Sequence, residues 1–267
     1  VFCAFSGTLR HAAPFRALDN VLLPPRLRIL PHLSLPMKPR IGITTSLDDG
    51  SQYLDRRYVA AIERSGGLPL PLPMLDTEAA RADIAALLDG LVVIGGPAVT
   101  DHLVGDLPEE LGELSPEREA SDRAWLKRCW DAELPILGIC YGMQRLNALT
   151  GGTIYGDVET EHDGARTHSQ KRGATTHPVH IDRSSRLYDL LETDTLTVNT
   201  RHLQAIAAVG DGFSVSATAP DGVVEAIEHE NGRIFGVQFH PERMGETMEP
   251  LFRHIVTLAG TAVPASS

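Results

Sequence analysis

The sequence has 267 residues, of which 42% are hydrophobic, so the chain is long enough to bury the core of one large domain. Its formal net charge of −11 argues against a nucleic-acid partner, because no local basic patch in the part expected to fold opposes the global field. The three cysteines match neither a disulfide framework nor a zinc site, and no apolar run is long enough to span a membrane. We therefore expect a soluble, cytoplasmic protein without a membrane partner.

Residues 1 to 36 differ in composition from the rest of the chain. Four arginines face a single acidic residue, Asp19, and five prolines interrupt the stretch. We expect a poorly ordered extension, either a transit peptide or, as we favour, a segment without a role that precedes a natural start at Met37. A catalytic domain over residues 37 to 260 and a flexible tail over 261 to 267 complete the predicted organisation.

From Arg40 onward, strand and helix patterns alternate as in βα units. Continuous apolar strands of this kind suit a parallel sheet buried on both faces. The predicted elements are strand 41–44, helix 53–64, strand 68–72, helix 77–88 capped by Asp76, strand 91–94, helix 115–133 capped by Ser115, strand 135–139 and helix 143–149.

The second half, from about Val179 to Phe239, is richer in strands that are separated by turns with glycine or aspartate. Its predicted elements are strands 196–198, 205–209, 213–217, 223–228 and 233–239, then a closing helix at 246–258. Together the two halves predict an α/β fold, a three-layer α/β/α sandwich with a mostly parallel central sheet.

The segment Gly-Ile-Cys-Tyr-Gly at 138–142 follows an apolar strand and precedes a helix, which is the context of a nucleophile elbow with sulfur in place of oxygen. Its glycines allow a sharp turn that exposes the cysteine at the carboxyl end of its strand. The N-terminus of the following helix favours the thiolate. We therefore predict Cys140 as the nucleophile, whereas Cys129, on a stripe with Trp125 and Ala132, is predicted to be core packing.

The strand at 234–239 delivers His240, then Pro241 ends the sheet and Glu242 follows. A neutral imidazole can take the thiol proton and later protonate the leaving amine, and a carboxylate on its far nitrogen fixes the tautomer. The sequence therefore predicts His240 as general base and acid, oriented by Glu242.

Acyl transfer also needs two N–H donors for the oxyanion. Tyr141 supplies the first, because it follows the nucleophile directly. Gly95 or Gly96, at the end of a neighbouring strand, is predicted to supply the second, and an ordinary Gly-Gly-Pro turn is the equal alternative.

The other histidines show no ligand spacing. His177 and His180 should point to opposite faces of a strand, and His162 and His168 lie in a polar stretch, 159–172, that is either a flap over the site or a solvated loop. We expect no metal and, without a phosphate-binding glycine loop, no cofactor.

In combination, these motifs resemble the class I glutamine amidotransferase superfamily over about residues 39 to 258, which implies a flavodoxin-like fold. The segments that carry the resemblance are Gly-Ile-Cys-Tyr-Gly-Met-Gln at 138–144, Gly151-Gly152, and Gly-Val-Gln-Phe-His-Pro-Glu at 236–242. Within the superfamily the chain is similar to the γ-glutamyl-γ-aminobutyrate hydrolase-like branch, through the segments 41–44, 58–62, 66–69, Arg118, 199–202 and 221–226.

Two residues need comment against that branch. The branch usually has arginine directly after the cysteine, whereas this chain has Tyr141, as the glutaminase domain of GMP synthase does. Arg118 either holds a substrate carboxylate or pairs with Glu117 or Glu119, and we favour the pairing.

The resemblance implies that Gln144 contacts the glutamyl part of the substrate and that Asn199 and His202 line the pocket, where a plain loop role is the alternative. It implies a cysteine hydrolase of a small-molecule substrate, γ-glutamyl-γ-aminobutyrate or a related γ-glutamyl amine, acting through a γ-glutamyl thioester on Cys140. One alternative is a glutaminase subunit that delivers ammonia to a synthase partner, and another is a binding or regulatory protein without turnover. The sequence leaves open whether the protein forms a homodimer.

Overall fold

The computed structural model describes residues 37–111 and 115–261. The expectations for residues 1–36, and for the predicted tail beyond Thr261, lie outside the described residues. No helix in the described part of the chain is both long and apolar enough to cross a bilayer.

The described residues form fourteen strands and seven α-helices. The strands are β1 Arg40–Ile43, β2 Ser46–Asp48, β3 Ser51–Tyr53, β4 Leu68–Pro71, β5 Gly90–Val93, β6 Leu103–Val104, β7 Ile136–Ile139, β8 Thr153–Tyr155, β9 Thr176–Ile181, β10 Thr195–Asn199, β11 Ala205–Ala208, β12 Phe213–Thr218, β13 Val224–His229 and β14 Ile234–Val237. The helices are α1 Arg56–Arg64, α2 Glu78–Ala85, α3 Pro116–Asp131, α4 Tyr141–Leu149, α5 Val158–Glu161, α6 Arg186–Leu191 and α7 Glu249–Gly260.

Nine strands form the central sheet, in the order β10-β9-β12-β13-β14-β7-β5-β1-β4. From β4 to β14 neighbouring strands are parallel, and from β14 to β10 they are antiparallel. The predicted α/β sandwich is confirmed, and its central sheet is mixed, with four parallel and four antiparallel pairs of neighbouring strands. The antiparallel half is the strand-rich second half of the sequence.

Alternating side chains of the parallel strands build a core on each face of the sheet. In β5, Leu91 and Val93 pack with Trp125 of α3, whereas Val92 packs in the other core with residues of α1 and α7, such as Ile62. This two-sided burial explains why β5 is a continuous apolar run rather than an alternating one.

Three element boundaries differ from the sequence prediction. Tyr53 belongs to the β2–β3 hairpin, so α1 begins only at Arg56, after the N-cap Asp55. Thr77 caps α2 in place of Asp76, since its hydroxyl accepts a hydrogen bond from the N–H of Ala80. The predicted closing helix starts as a 3-10 turn over Gly245–Met248, and α7 follows it.

Other expectations hold. Ser115 caps α3, since its hydroxyl accepts from the N–H of Arg118 at 3.2 Å. Cys129 is fully buried in the core beside Trp125, as predicted, although Ala132 lies exposed beyond the end of the helix.

Candidate active site

Cys140 lies at the turn between β7 and α4, with φ 53° and ψ −106°. Side chains other than glycine rarely adopt this region, so the backbone at the cysteine is strained. A Cβ on Gly138 would lie 2.5 Å from the Gly142 carbonyl oxygen, and one on Gly142 would collide with the carbonyl of Val93. The two glycines therefore permit close packing of strand, turn and helix, while the strained φ falls on the nucleophile itself.

His240 and Glu242 come together with the elbow because β14 pairs with β7 in parallel, with Val237 opposite Ile139. His240 Nδ1 lies 2.9 Å from Glu242 Oε1, and the Glu242 side chain is almost fully buried. Burial opposes a charge on His240, but its hydrogen bonds with Cys140 and with Glu242 raise its pKa to about 9. The imidazole is therefore protonated at neutral pH.

Tyr58 supports this pair from α1, a role that the sequence did not reveal. Its hydroxyl lies 3.5 Å from His240 Nδ1 and accepts a hydrogen bond from the Gly95 N–H at 3.3 Å. Burial, followed by the charge of Glu242, raises the pKa of Tyr58, so the hydroxyl keeps its proton.

Asn199 departs from the expectation that it lines the pocket. Its side-chain amide donates to the main-chain carbonyl of His240 at 2.9 Å, and its carbonyl accepts from the His240 N–H at 3.1 Å. Both ends of the amide are occupied, so Asn199 clamps the backbone of the histidine instead of facing a ligand.

We expect Asn199→Ala to lower kcat by about thirtyfold, since two hydrogen bonds worth about 1 kcal/mol each hold the imidazole in place. Steady-state kinetics of the purified variant measure this loss. Asn199→Asp keeps the acceptor and loses the donor, so its kcat should lie between those of the wild-type protein and Asn199→Ala. Wild-type kcat in Asn199→Ala would show that the clamp does not position His240.

Gly95 and Gly96 differ in their hydrogen bonds. The Gly95 N–H donates to the Tyr58 hydroxyl, and the Gly95 carbonyl accepts from Arg118 Nη2 at 2.6 Å. Gly96 lies in the wall of the cavity that contains Cys140, and within residues 37–111 and 115–261 its N–H meets no acceptor. Of the two glycines, Gly96 is therefore the one left free to donate to a ligand.

Arg118 pairs with Asp122, at 3.3 Å, and not with Glu117 or Glu119 as expected. The i,i+4 spacing brings Asp122 to the same buried face of α3, where the guanidinium also lies 5.3 Å above the Tyr141 ring. Tyr141, its ring thus buried, contributes only its backbone to the elbow. The unusual tyrosine does not occupy the substrate cavity.

A cavity of about 330 Å³ opens at Cys140. Its walls include Gly96, Gln144, the segment 169–171 and the segment 201–204. A larger groove, of about 1040 Å³, lies between α2 and α3 and contains no elbow residue. The smaller cavity is the one with reactive chemistry, and its size suits a small molecule.

Gln144 forms part of the polar floor of this cavity and is linked to Cys140 through the buried Gln238. Gln144 donates from Nε2 to the Gln204 carbonyl at 2.9 Å and to Gln238 Oε1 at 3.1 Å. Gln238 in turn donates to Cys140 Sγ at 3.4 Å. Sequence reasoning missed Gln238, although it stands two residues before His240 on the same strand extension, where alternation places both side chains on one face.

His202 reaches the cavity wall, as expected, but its ring belongs to a second group. His202 Nε2 lies 3.5 Å from Glu225 Oε1, and the rings of His168 and His177 pack beside it. His177 and His180 lie on opposite faces of β9, as expected, and the other members of the group around His177 come from other elements, which pairwise spacing does not reveal.

The two described cysteines differ in chemistry. Burial raises the pKa of Cys129 to about 12, whereas Cys140 stands in the cavity wall beside a protonated imidazole. We expect iodoacetamide to alkylate Cys140 at neutral pH and to spare Cys129 until the protein unfolds. Peptide mass mapping measures the two sites, and the unfolded chain, in which both should react, is the control. Equal labelling in the folded protein would contradict the distinction.

The chain is similar to known proteins in sequence and in fold. The family model of Peptidase C26 matches residues 39–242. The chain is 34% identical over 221 residues to protein NtpR of Enterococcus hirae, covering 77% of this chain and 92% of NtpR. It is 31% identical over 202 residues to the γ-glutamyl-γ-aminobutyrate hydrolase PuuD of Escherichia coli K12, covering 72% of this chain and 79% of PuuD.

Two solved structures share the fold. One is a GMP synthase subunit protein from Thermoplasma acidophilum, with a TM-score of 0.58, 23% identity, and coverage of 84% of this chain and 94% of that chain. The other is the glutaminase domain of Trypanosoma brucei CTPS, with a TM-score of 0.58, 18% identity and the same coverage of 84% and 94%. Since the family match spans most of the described domain and the sequence relatives exceed 30% identity, the chain belongs to the peptidase C26 family of class I glutamine amidotransferase-like proteins.

Proposed function

We propose that the protein hydrolyses the γ-glutamyl amide bond of a small γ-glutamyl amine, such as γ-glutamyl-γ-aminobutyrate. One observation carries the proposal: a strained Cys140 stands beside a His240–Glu242 hydrogen bond of 2.9 Å in the wall of a cavity. The name of the PuuD relative supports the substrate class.

The reaction begins with the Cys140 thiolate and the His240 imidazolium. The thiolate attacks the γ-carbonyl carbon, and the resulting oxyanion accepts hydrogen bonds from the N–H groups of Tyr141 and Gly96. His240 gives its proton to the leaving amine as the C–N bond breaks, which leaves a γ-glutamyl thioester. A water molecule, deprotonated by His240, then attacks the thioester, and glutamate leaves as the thiolate re-forms.

We infer that the glutamyl end of the substrate binds three cavity residues, Gln144, Arg201 and Lys171. Both hydrogens of the Gln144 amide are occupied by protein acceptors, so its carbonyl oxygen is left for the α-ammonium group. Arg201 and Lys171 bring positive charge to the cavity wall. Burial, then the charges of Arg243 and Arg57, lower the pKa of Arg201, so a substrate carboxylate would relieve an uncompensated cation.

We expect Arg201→Ala to raise the KM for γ-glutamyl-γ-aminobutyrate by about fivefold with little change in kcat, because an exposed charge pair with a carboxylate supplies about 1 kcal/mol of uniform binding. Initial-rate kinetics measure both constants. Arg201→Lys, which keeps the charge, should recover most of the affinity. An unchanged KM in Arg201→Ala would remove Arg201 from the carboxylate site.

The test of the function uses the purified protein alone. γ-Glutamyl-γ-aminobutyrate, γ-glutamyl polyamines, glutamine and poly-γ-glutamate are assayed for released glutamate, and the acid-quenched enzyme is searched for a γ-glutamyl adduct on Cys140. Glutamate release from γ-glutamyl amines, together with the adduct, supports the proposal. Turnover of glutamine only after a synthase partner is added would favour the ammonia-delivering subunit, and no adduct with any substrate would sink the mechanism.

A further inference from the structure

Three histidines and a glutamate converge beside the catalytic cavity: His168, His177 of β9, His202 and Glu225 of β13. One nitrogen or oxygen from each lies within 4.8 Å of all the others. Glu225 Oε1 is 3.2 Å from His177 Nε2, 3.5 Å from His202 Nε2 and 3.7 Å from His168 Nδ1. Ligand atoms about 3.3 Å apart are what tetrahedral zinc requires, given bonds of about 2.0 Å.

The outer nitrogen of each ring is already held by an acceptor. These contacts, each of 3.0 Å, are His168 Nε2 with Asp221 Oδ2, His177 Nδ1 with the Pro178 carbonyl, and His202 Nδ1 with the Gln204 carbonyl. Because carboxylate and carbonyl oxygens only accept, each outer nitrogen carries the hydrogen. In a neutral ring the inner nitrogen is then a bare lone pair, and outer partners of this kind are typical of metal-bound histidines.

The inner atoms have no hydrogen-bond partner within the described part of the chain: His168 Nδ1, His177 Nε2, His202 Nε2 and both Glu225 carboxylate oxygens. Glu225 is 0% exposed, and His168 and His202 are 1% and 4% exposed. A buried carboxylate that faces three lone pairs is a set of acceptors without a donor, and this arrangement is unfavourable unless something positive lies between them.

A single added proton would satisfy only some of these unpartnered acceptors. A proton on His177 would give Glu225 one donor at 3.2 Å and leave the lone pairs of the other two rings facing each other, with the ring centres of His168 and His202 4.8 Å apart. A cation at the centre satisfies all four groups at once.

We propose that His168, His177, His202 and Glu225 bind one divalent transition-metal ion, with zinc best suited to three imidazole nitrogens and a carboxylate. The site is structural, since the described residues fill its four positions and Cys140 chemistry needs no metal. It joins two strands of the antiparallel half of the sheet to the two segments that wall the cavity, 169–171 after His168 and 201–204 around His202.

Gln204 connects this site to the catalytic cavity. Its main-chain carbonyl accepts hydrogen bonds from His202 Nδ1, at 3.0 Å, and from Gln144 Nε2, at 2.9 Å. The ion would therefore fix the ring that positions the floor of the substrate cavity. This proposal stands on the cluster alone and does not depend on the proposed γ-glutamyl substrate.

The test measures zinc binding in Cys140→Ala protein, so that the thiolate of the catalytic cavity cannot be the ligand. Chelator-treated protein is titrated with zinc chloride, with bound metal measured by elemental analysis and Tm by calorimetry, and cobalt(II) is used to read the coordination geometry from its visible spectrum. We expect one ion per chain, a higher Tm with zinc because the ion binds the folded state, and a tetrahedral cobalt spectrum without thiolate bands.

Matched variants in the same background locate the site. His180→Ala removes an exposed histidine from the opposite face of β9 and should keep full zinc binding. His177→Ala should weaken binding by at least about tenfold, and so should the isosteric Glu225→Gln. The alternative is that a proton shared within the cluster stabilises it and that zinc does not bind there. Glu225→Gln would then remove a buried charge and leave the effect of zinc on Tm unchanged. No zinc-dependent rise in Tm of the Cys140→Ala protein, or an equal rise in Glu225→Gln, would overturn the proposal.

Discussion

Replacing Cys140 by alanine is expected to lower kcat for γ-glutamyl amide hydrolysis by roughly 10⁵-fold, because the covalent route then has no nucleophile and only the oxyanion donors and substrate binding remain. The fold should survive the change, since the side chain removed is small and lies in the cavity wall. Quenched-flow mass spectrometry of the variant should show no γ-glutamyl adduct, and circular dichroism should show native structure.

Cys129→Ala is the matched control. It removes the same sulfur from a fully buried position in the other core, so it should keep the adduct and the activity while costing stability through a small cavity. Activity that survives in Cys140→Ala, or is lost in Cys129→Ala without unfolding, would refute the assignment of the nucleophile.

The strain at the elbow gives a second test of the same position. With φ at 53° and ψ at −106°, Cys140 occupies a region that glycine enters freely. Cys140→Gly should therefore be inactive yet raise the free energy of unfolding by about 1 kcal/mol relative to Cys140→Ala, because it releases backbone strain. Urea unfolding of the two variants measures the difference, and equal stabilities would mean that the turn stores no strain.

The elbow could be predicted because its information is local. Gly138, Cys140 and Gly142 lie within five residues, and the neighbouring apolar strand and helix fix their context. The β2–β3 hairpin is equally local, yet the sequence prediction missed it. Asp49 and Gly50 both have positive φ, at 43° and 70°, which is the turn that an Asp-Gly pair favours between two antiparallel strands.

The supporting residues could not be predicted in the same way. Tyr58 meets His240, 182 positions away, only because α1 packs near the end of β14. The histidine cluster depends on the register of the antiparallel strands and on the path of the loops before β9 and after β10, and neither is encoded in the spacing of His168, His177 and His202. Sequence spacing reveals partners that lie on one element, but it does not reveal partners that come from four separate segments.

His240→Ala is expected to lower kcat by roughly 10⁴-fold, since the leaving amine loses its proton donor and the thiolate loses its imidazolium. In the wild-type protein, kcat/KM should fall as pH rises through about 9, because the pKa of His240 is raised to about 9 by Cys140 and Glu242 against the effect of burial. This alkaline limb belongs to the coupled pair, so it should shift when either partner changes.

Glu242→Gln tests that coupling, because it keeps the size of the side chain and removes the charge. The alkaline limb of kcat/KM should move toward lower pH, and kcat should fall by roughly 10²-fold or more as the imidazole loses its orientation. Since the folded pKa of His240, about 9, exceeds its ordinary value of 6.5, the histidine stabilises the fold fully below pH 6.5, and this contribution is lost as pH rises through 9. In Glu242→Gln that loss of unfolding free energy should be smaller and complete at lower pH, because the folded pKa of His240 falls toward its ordinary value, in step with the kinetic limb. Exposed Glu246→Gln, in the turn before α7, should leave both profiles in place. An alkaline limb that stays at its wild-type pH in Glu242→Gln would mean that the carboxylate does not control the histidine.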